Sequence, residues 1–277
     1  MPDHESFIAR VWESGRRYHR DLPWRDIDDP YAVLVSEVML QQTQVSRVMG
    51  YWAPFLAAFP TLDALAAADA AVVLERWQGL GYNRRALSLK RTAETCSREQ
   101  GGVLPTSYEG LLALPGIGSA TAAGVCAFAY RKPSVYLETN VRAVFIHEFF
   151  PEAAQVSDKQ IHPLVESTCS QQDPRGWYYA LLDYGAFLKQ QAANPSRRSV
   201  HYTRQSPFQG SRRQKRALLL RQVLAHPGIS GDKLKACLDD FEKAAGRCPC
   251  DQVLCDEILE GLCKEGFFKK EGEAYSA

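Results

Sequence analysis

Leu114-Pro115-Gly116-Ile117-Gly118 turns the chain into the helix-forming run Ser119-Ala120-Thr121-Ala122-Ala123, and twenty residues beyond Gly118 stands Glu138, within Leu137-Glu138-Thr139-Asn140-Val141. Two glycines around one apolar residue permit a tight turn between helices. Gly116 and Gly118 would then leave the backbone N–H groups from Ser119 onward pointing at whatever anion lies over the turn. A phosphodiester fits that site. Plain helix–turn–helix connections carry the same Pro-Gly and Gly-x-Gly marks, so the stretch alone leaves both readings open.

The rest of the chain sets limits on them. Its 277 residues, 45% hydrophobic and 23% charged, suffice for one large domain or two smaller ones with real cores. No apolar run approaches the ~20 residues that span a bilayer. Met-Pro-Asp-His-Glu at the N-terminus has neither a basic region nor an apolar stretch, so the expectation is a cytoplasmic protein without membrane contact. Eight cysteines without a secretion signal read as reduced thiols. A net charge of +1 argues against a general polyanion binder, yet residues 197–221 hold eight Arg or Lys and no Asp or Glu. Such a run is usually a solvated face or linker and supports nucleic-acid binding only weakly by itself.

Helical spacing or composition covers residues 5–19, 31–49, 52–58, 69–77, 84–100, 107–113, 119–130, 138–149, 158–171 and 175–189, so the fold class is mainly α. Residues 191–211 are polar and basic and read as a linker or surface strap. From 212 to 277, three helical stretches (216–226, 230–242 and 253–265) precede Phe267–Tyr275, in which a Glu-Gly-Glu turn suggests a hairpin. That order predicts a winged-helix-like module. The expected division is therefore 1–190, 191–211 and 212–277.

Three clusters could carry chemistry. Glu37 lies in Val33-Leu34-Val35-Ser36-Glu37-Val38-Met39-Leu40, and a carboxylate in so apolar a helix is costly to bury unless it is paired or used. It could also occupy a solvated stripe. Gln41-Gln42-Thr43-Gln44 follows; such side chains can probe base edges, fill a vacated base stack or simply cap a helix. In Trp77-Gln78-Gly79-Leu80-Gly81-Tyr82-Asn83-Arg84-Arg85, an aromatic ring stands at a glycine-loosened turn with two guanidinium groups behind it for phosphates.

In type, spacing and order these clusters, with Leu22-Pro23-Trp24-Arg25, Pro30-Tyr31 and Ser36–Val45, resemble the helix-hairpin-helix DNA glycosylase superfamily. Within it the chain is most similar to the adenine DNA glycosylases of the MutY type, over roughly residues 5–190. The resemblance implies a glycosylase fold of two helical lobes with double-stranded DNA as partner. Glu37 would protonate the leaving base and help water add to the sugar, and Glu138 would stabilise the cationic sugar. Gln42 and Tyr82 would enter the duplex as the target base flips out, with Gln41, Thr43, Arg84, Arg85, Gly116, Gly118 and Ser119 on the DNA. Trp24, Arg25, Tyr31 and Val45 match the base pocket. Cleaving an N-glycosidic bond builds positive charge on the sugar and negative charge on the base, so one proton donor and one nearby anion are the minimum equipment.

Four departures stand out. The family carries Asp where this chain has Glu138. Ala120 occupies the place of the Schiff-base lysine of related lyases and has no amine, so a glycosylase without lyase chemistry is expected. No cysteine lies between Cys169 and Cys237, so no iron–sulfur cluster, and no other metal, is expected. The strap would take its place, with Arg197 and Arg198 on the DNA backbone. The nucleotide-hydrolase-like domain that senses 8-oxoguanine is also replaced. The expected protein is a monomeric, nucleoid-associated enzyme of base excision repair removing adenine opposite 8-oxoguanine or guanine. The rivals are removal of uracil, thymine or hypoxanthine, and a non-catalytic binder of damaged DNA.

Overall fold

The computed structural model describes residues 3–191 and 194–277; Met1, Pro2 and, within the predicted strap, the alanines at 192 and 193 lie outside the described residues. The helices in chain order are α1 (His4–Arg17), α2 (Pro30–Leu40), α3 (Val45–Val48), α4 (Trp52–Ala58), α5 (Leu62–Ala67), α6 (Ala70–Trp77), α7 (Arg84–Glu99), α8 (Tyr108–Leu112), α9 (Ser119–Phe128), α10 (Thr139–Phe149), α11 (Asp158–Thr168), α12 (Pro174–Gln191), α13 (Arg212–Ala225), α14 (Gly231–Ala244) and α15 (Gln252–Lys264). A 3-10 turn spans Pro195–Arg198, and three short strands follow: β1 (Ile229–Ser230), β2 (Lys269–Glu271) and β3 (Ala274–Ser276). Asp3, Asp29, Thr61, Ser107, Ser211 and Ser230 each start a helix by accepting a hydrogen bond from an amide of its first turn.

Contacts divide the chain into two units, each built from two separated stretches: Met1–Ala53 with Thr95–Arg204, and Pro54–Glu94 with Gln205–Ala277. In the first unit α1, α9 and α10 pack on α12. Phe7 of α1 meets Phe145, Phe149 and Trp177 with ring centroids 5.1, 4.8 and 6.1 Å away. Burying each ring contributes roughly 1.5–3 kcal/mol. A Cβ on Gly15 would strike Ala180, so this glycine sets how closely α1 and α12 approach. α2 lies on α9 with eight of its residues buried, which explains an apolar composition without a polar stripe.

In the second unit α13 packs against α6, α14 and α15, and the strands form an antiparallel sheet in the order β1-β3-β2. Tyr275 pairs with Ile229 on one side and Lys270 on the other. Gly272, at φ 62°, makes the turn between β2 and β3. Inside this unit Glu242 accepts from Lys215 at 2.8 Å and Arg247 at 2.8 Å. Arg247, with Lys215, holds its carboxyl down to about 2.

Several elements depart from the sequence pattern. The expected helix 31–49 breaks at Gln41, because Gln42 adopts φ 53° and ends α2 at Leu40 before α3 restarts at Val45. Helix α5 and the two-residue β1 were not foreseen; Thr61 caps the former, and the latter is held by Tyr275 and Ala274 across the sheet. The run expected to reach residue 171 stops at Thr168, where Cys169 turns extended at ψ 123°.

Candidate active site

Glu37 projects from the buried helix α2 against α9. A Cβ on Gly124 would collide with Glu37 Oε2 and come within 3.0 Å of its Cδ and of Tyr136 Cε2. The missing side chain of Gly124 is therefore the space the carboxyl group occupies. Glu37 keeps part of its surface open, but its carboxyl has lost most of its water. That desolvation, opposed by a hydrogen bond with Tyr136 and reinforced by the charge of Glu138, pushes it up to about 8. At neutral pH the group is mostly a neutral acid, the state a proton donor needs.

Glu138 is the N-cap of α10. Its Oε1 accepts from the backbone N–H groups of Asn140 at 2.6 Å and Val141 at 3.0 Å. Burial raises its carboxyl, while those two donors and the charges of Lys189 and Arg142 oppose the rise. Two carboxyl groups are thus held differently: one rests on backbone donors that favour its anion, the other lies in apolar surroundings that favour its acid.

Tyr136 lies behind Glu37, only 6% exposed. Its ring is edge-on to Phe128 at 5.1 Å and to Tyr178 at 5.3 Å. Its backbone N–H donates to Tyr178 Oη at 3.1 Å, and Tyr178 in turn donates to the Ser134 carbonyl. Ser134 Oγ closes onto the Ala123 carbonyl at 2.9 Å, tying this loop to α9.

The hairpin sits on the same helix. Gly116 has φ 78°, and Gly118 is the N-cap of α9 with no side-chain hydrogen bond onto the first turn. Gly116, Gly118 and Ser119 are exposed. A cleft of about 450 Å³ opens there, lined by Ser119, Ala120, Ser134, Leu137, Arg142 and His162 among others. The first turn of α9 thus faces a cleft, while Gly124, farther along the same helix, touches Glu37.

Gln41, at the end of α2, donates to Thr121 Oγ1 of α9 at 3.0 Å, and Thr43 Oγ1 donates to the Gln41 carbonyl at 3.4 Å. Gln42 is exposed and Val45 is half-buried. Trp24 is buried edge-on to Trp52 at 6.3 Å, and Tyr31 is buried in the first turn of α2. Arg25 is committed elsewhere: its two terminal nitrogens each donate to Asp183 at 2.8 Å, and its guanidinium lies over the Tyr179 ring at 4.5 Å.

In the second unit Gly79 (φ 97°), Gly81 (φ 75°) and Tyr82 (φ 48°) form one left-handed turn. Tyr82 is 38% exposed. Its Oη accepts from Gln205 and, at 3.3 Å, from Arg213. Arg85 is buried beneath this turn, donating to the Gly81 carbonyl at 3.0 Å, with its guanidinium 5.5 Å from the Trp77 and Tyr82 ring centres. Arg84 pairs with Glu265 at 2.7 Å.

Within the strap Arg197 is exposed. Arg198 turns inward and donates to the carbonyls of Phe150 at 2.5 Å, Pro151 at 2.9 Å and Ala153 at 3.1 Å, just past the end of α10. The family's four-cysteine site has no ligands to match here, since residues 170–236 contain no cysteine. Among the described residues no three His, Cys, Asp or Glu side chains gather as a set that could hold a metal.

Sequence reasoning missed Gly124 and Tyr136. Gly124 left one trace: a glycine inside an alanine-rich helix costs about 1 kcal/mol and calls for a reason, usually a close approach. Tyr136 left none, because its partner Glu37 lies ninety-nine residues earlier.

Residues 35–171 match the family described as HhH-GPD superfamily base excision DNA repair protein. The chain is similar to an adenine DNA glycosylase of Mycobacterium tuberculosis, 46% identical over 130 residues that make up 47% of this chain and 43% of that protein. It is also similar to one from Homo sapiens, 33% identical over 259 residues that cover 85% of this chain and 45% of the relative. The chain thus spans less than half the length of these relatives. Among solved structures, a thermostable thymine-DNA glycosylase superposes with a TM-score of 0.60 at 23% identity, covering 66% of this chain and 86% of that one. Endonuclease III in a non-covalent DNA complex superposes with a TM-score of 0.54 at 17% identity, covering 75% and 91%. These two likenesses concern the fold.

Proposed function

Because residues 35–171 match the HhH-GPD superfamily of base excision DNA repair proteins, we propose that the chain is a DNA glycosylase that hydrolyses the N-glycosidic bond of adenine mispaired with guanine or 8-oxoguanine. The observation that carries this reading is the Glu37 carboxyl, pushed up to about 8 inside an otherwise apolar helix. Adenine is preferred over other bases because the curated relatives quoted above are adenine glycosylases.

The flipped adenosine would be reached from the cleft over α9, whose uncapped first-turn amides suit a phosphodiester. Glu37 gives its proton to a ring nitrogen of the base. The bond from the sugar carbon to the base then breaks, with its electron pair leaving on the base. The cation left on the sugar is offset by the Glu138 anion. Water adds to the sugar carbon, and its proton returns to Glu37. With Ala120 at the lyase lysine's place no amine attacks the sugar, so the product is an intact strand with an abasic site. With no cysteine between Cys169 and Cys237 the reading includes no iron–sulfur cluster, and Arg198 would anchor the strap instead. The C-terminal module has the element order of a winged helix, α13-β1-α14-α15-β2-β3, and would add DNA contacts on a monomer working in the nucleoid.

The test is incubation with duplexes carrying adenine opposite 8-oxoguanine or guanine, uracil or thymine opposite guanine, and hypoxanthine, followed by alkali. Alkali-dependent breaks at adenine that vanish in Glu37→Gln are expected. Breaks only at another base would replace the substrate, and tight binding without any break would turn the protein into a non-catalytic binder.

A further inference from the structure

Tyr136 is held without the help of its hydroxyl. Phe128 and Tyr178 fix the ring edge-on, and the backbone N–H is tied to Tyr178. The hydroxyl is left to Glu37, whose carboxyl lies beside the Tyr136 ring over Gly124 and whose pKa it lowers. Among the described residues the titratable groups that shift Glu37 are Tyr136 and Glu138 from the segment before α10, with Tyr178 of α12 behind Tyr136, while Gly124 of α9 presents bare backbone to it. Burial pushes the Tyr136 phenol well above its ordinary range, so it remains protonated and meets a carboxylate only as a donor.

A donor strengthens its bond as the acceptor becomes charged. Glu37 gains charge as it surrenders its proton to the departing base, so this hydrogen bond tightens in the transition state and is weaker before it. We propose that Tyr136 is a positioning residue for the excision reaction, its hydroxyl donating to the Glu37 carboxylate as that group gives up its proton and fixing which carboxyl oxygen is turned to the base. The role in excision rests on the glycosylase reading; the Tyr136–Glu37 link does not.

Tyr136→Phe removes one oxygen and keeps the ring. Single-turnover excision is measured from pH 5 to 10 on adenine opposite 8-oxoguanine, with duplex affinity and melting temperature beside it. The Phe variant is expected to bind the duplex and melt as the parent does. Its rate should fall roughly ten- to a hundredfold, and its alkaline limb, near pH 8 in the parent, should move to higher pH. Site-specific 3-fluorotyrosine, a stronger donor of nearly the same shape, should move the limb to lower pH. A loss of rate with the limb unmoved would reduce Tyr136 to packing, and an unchanged rate and limb would overturn the proposal outright. Carbon-13 NMR titration of Glu37, assigned by its loss in Glu37→Gln, reads the same link without turnover. If the parent cuts no duplex yet the Glu37 midpoint rises in the Phe variant, the glycosylase reading falls and the link stands. An unmoved midpoint sinks the link.

Discussion

The Glu37 site and the Tyr82 turn each hold a residue in an unfavourable state, and they do it by opposite means. Glu37 has an ordinary helical backbone, and the cost lies in its surroundings, a carboxyl stripped of water against Gly124 and Tyr136. Tyr82 has an exposed ring and an unfavourable backbone, φ 48° directly after Gly81, worth about 1–2 kcal/mol for a residue with a Cβ. In the proposed function Glu37 would transfer a proton, which a packed, dry interior favours. Tyr82 would enter the base stack, which needs reach, and it is exposed with the strain held in the chain beneath it. Gln42, exposed with φ 53°, belongs with Tyr82 in this respect.

The sharpest way to break the comparison is Glu37→Gln. It keeps the shape and removes the proton, so excision should fall by about a thousandfold or more while duplex binding stays within a few-fold. Retention of activity in a single-turnover assay would remove Glu37 from the chemistry altogether. Gly124→Ala comes next. Its methyl occupies the carboxyl's space, and a displacement of about 1 Å costs on the order of a hundredfold in rate, although alanine is the better helix former. Full activity in that variant would mean that α9 and α2 yield more than their packing suggests.

A third prediction concerns pH. The folded protein holds the Glu37 proton up to about pH 8, whereas an unfolded chain releases it near 4.5, so unfolding free energy falls as pH rises through that window and is level on either side. Glu37→Gln escapes this loss. Its melting temperature should match the parent's at pH 4.5 and exceed it at pH 9 by the equivalent of about 2 kcal/mol, after allowance for partial exposure. Parallel melting curves across the range would show that Glu37 is better solvated than its packing implies. The smallest effect is expected from Tyr82→Phe, which loses only the exposed hydrogen bonds to Gln205 and Arg213. Stability should change by less than about 1 kcal/mol, and the pH profile should not move. Set beside Tyr136→Phe, the same chemical change would then act on chemistry in one region and hardly at all in the other.

What could be read from the sequence follows the same line. Glu37, the hairpin glycines and the Tyr82 turn announce themselves locally, through a charge in an apolar run or a glycine pair beside an aromatic ring. The break at Gln41–Gln44 does not, since glutamine suits a helix and its residue type gives no sign of the left-handed backbone at Gln42. Arg25 and Arg198 illustrate a different limit. A guanidinium in a sequence shows a charge without its partner, and here the partners are Asp183, 158 residues away, and carbonyls nearly fifty residues back. Tyr136 was hidden for the same reason. Strand β1 is two residues long, too short for any alternation to register.

The division of each unit into two separated stretches has a consequence for how the protein is made. α1 packs on α12, and the Arg198 guanidinium gathers carbonyls beyond the end of α10, so the first unit lacks an essential surface until the chain has been synthesised to about residue 200. The second unit waits longer still, because β3 pairs with both other strands of its sheet and α6 needs α13. During synthesis the apolar surface of α2 and the ring of Phe7 are made long before α9, Phe145, Phe149 and Trp177, which cover them. Closing such distant contacts slows folding more than it alters final stability. On the ribosome neither unit can complete its packing until most of the chain has been made.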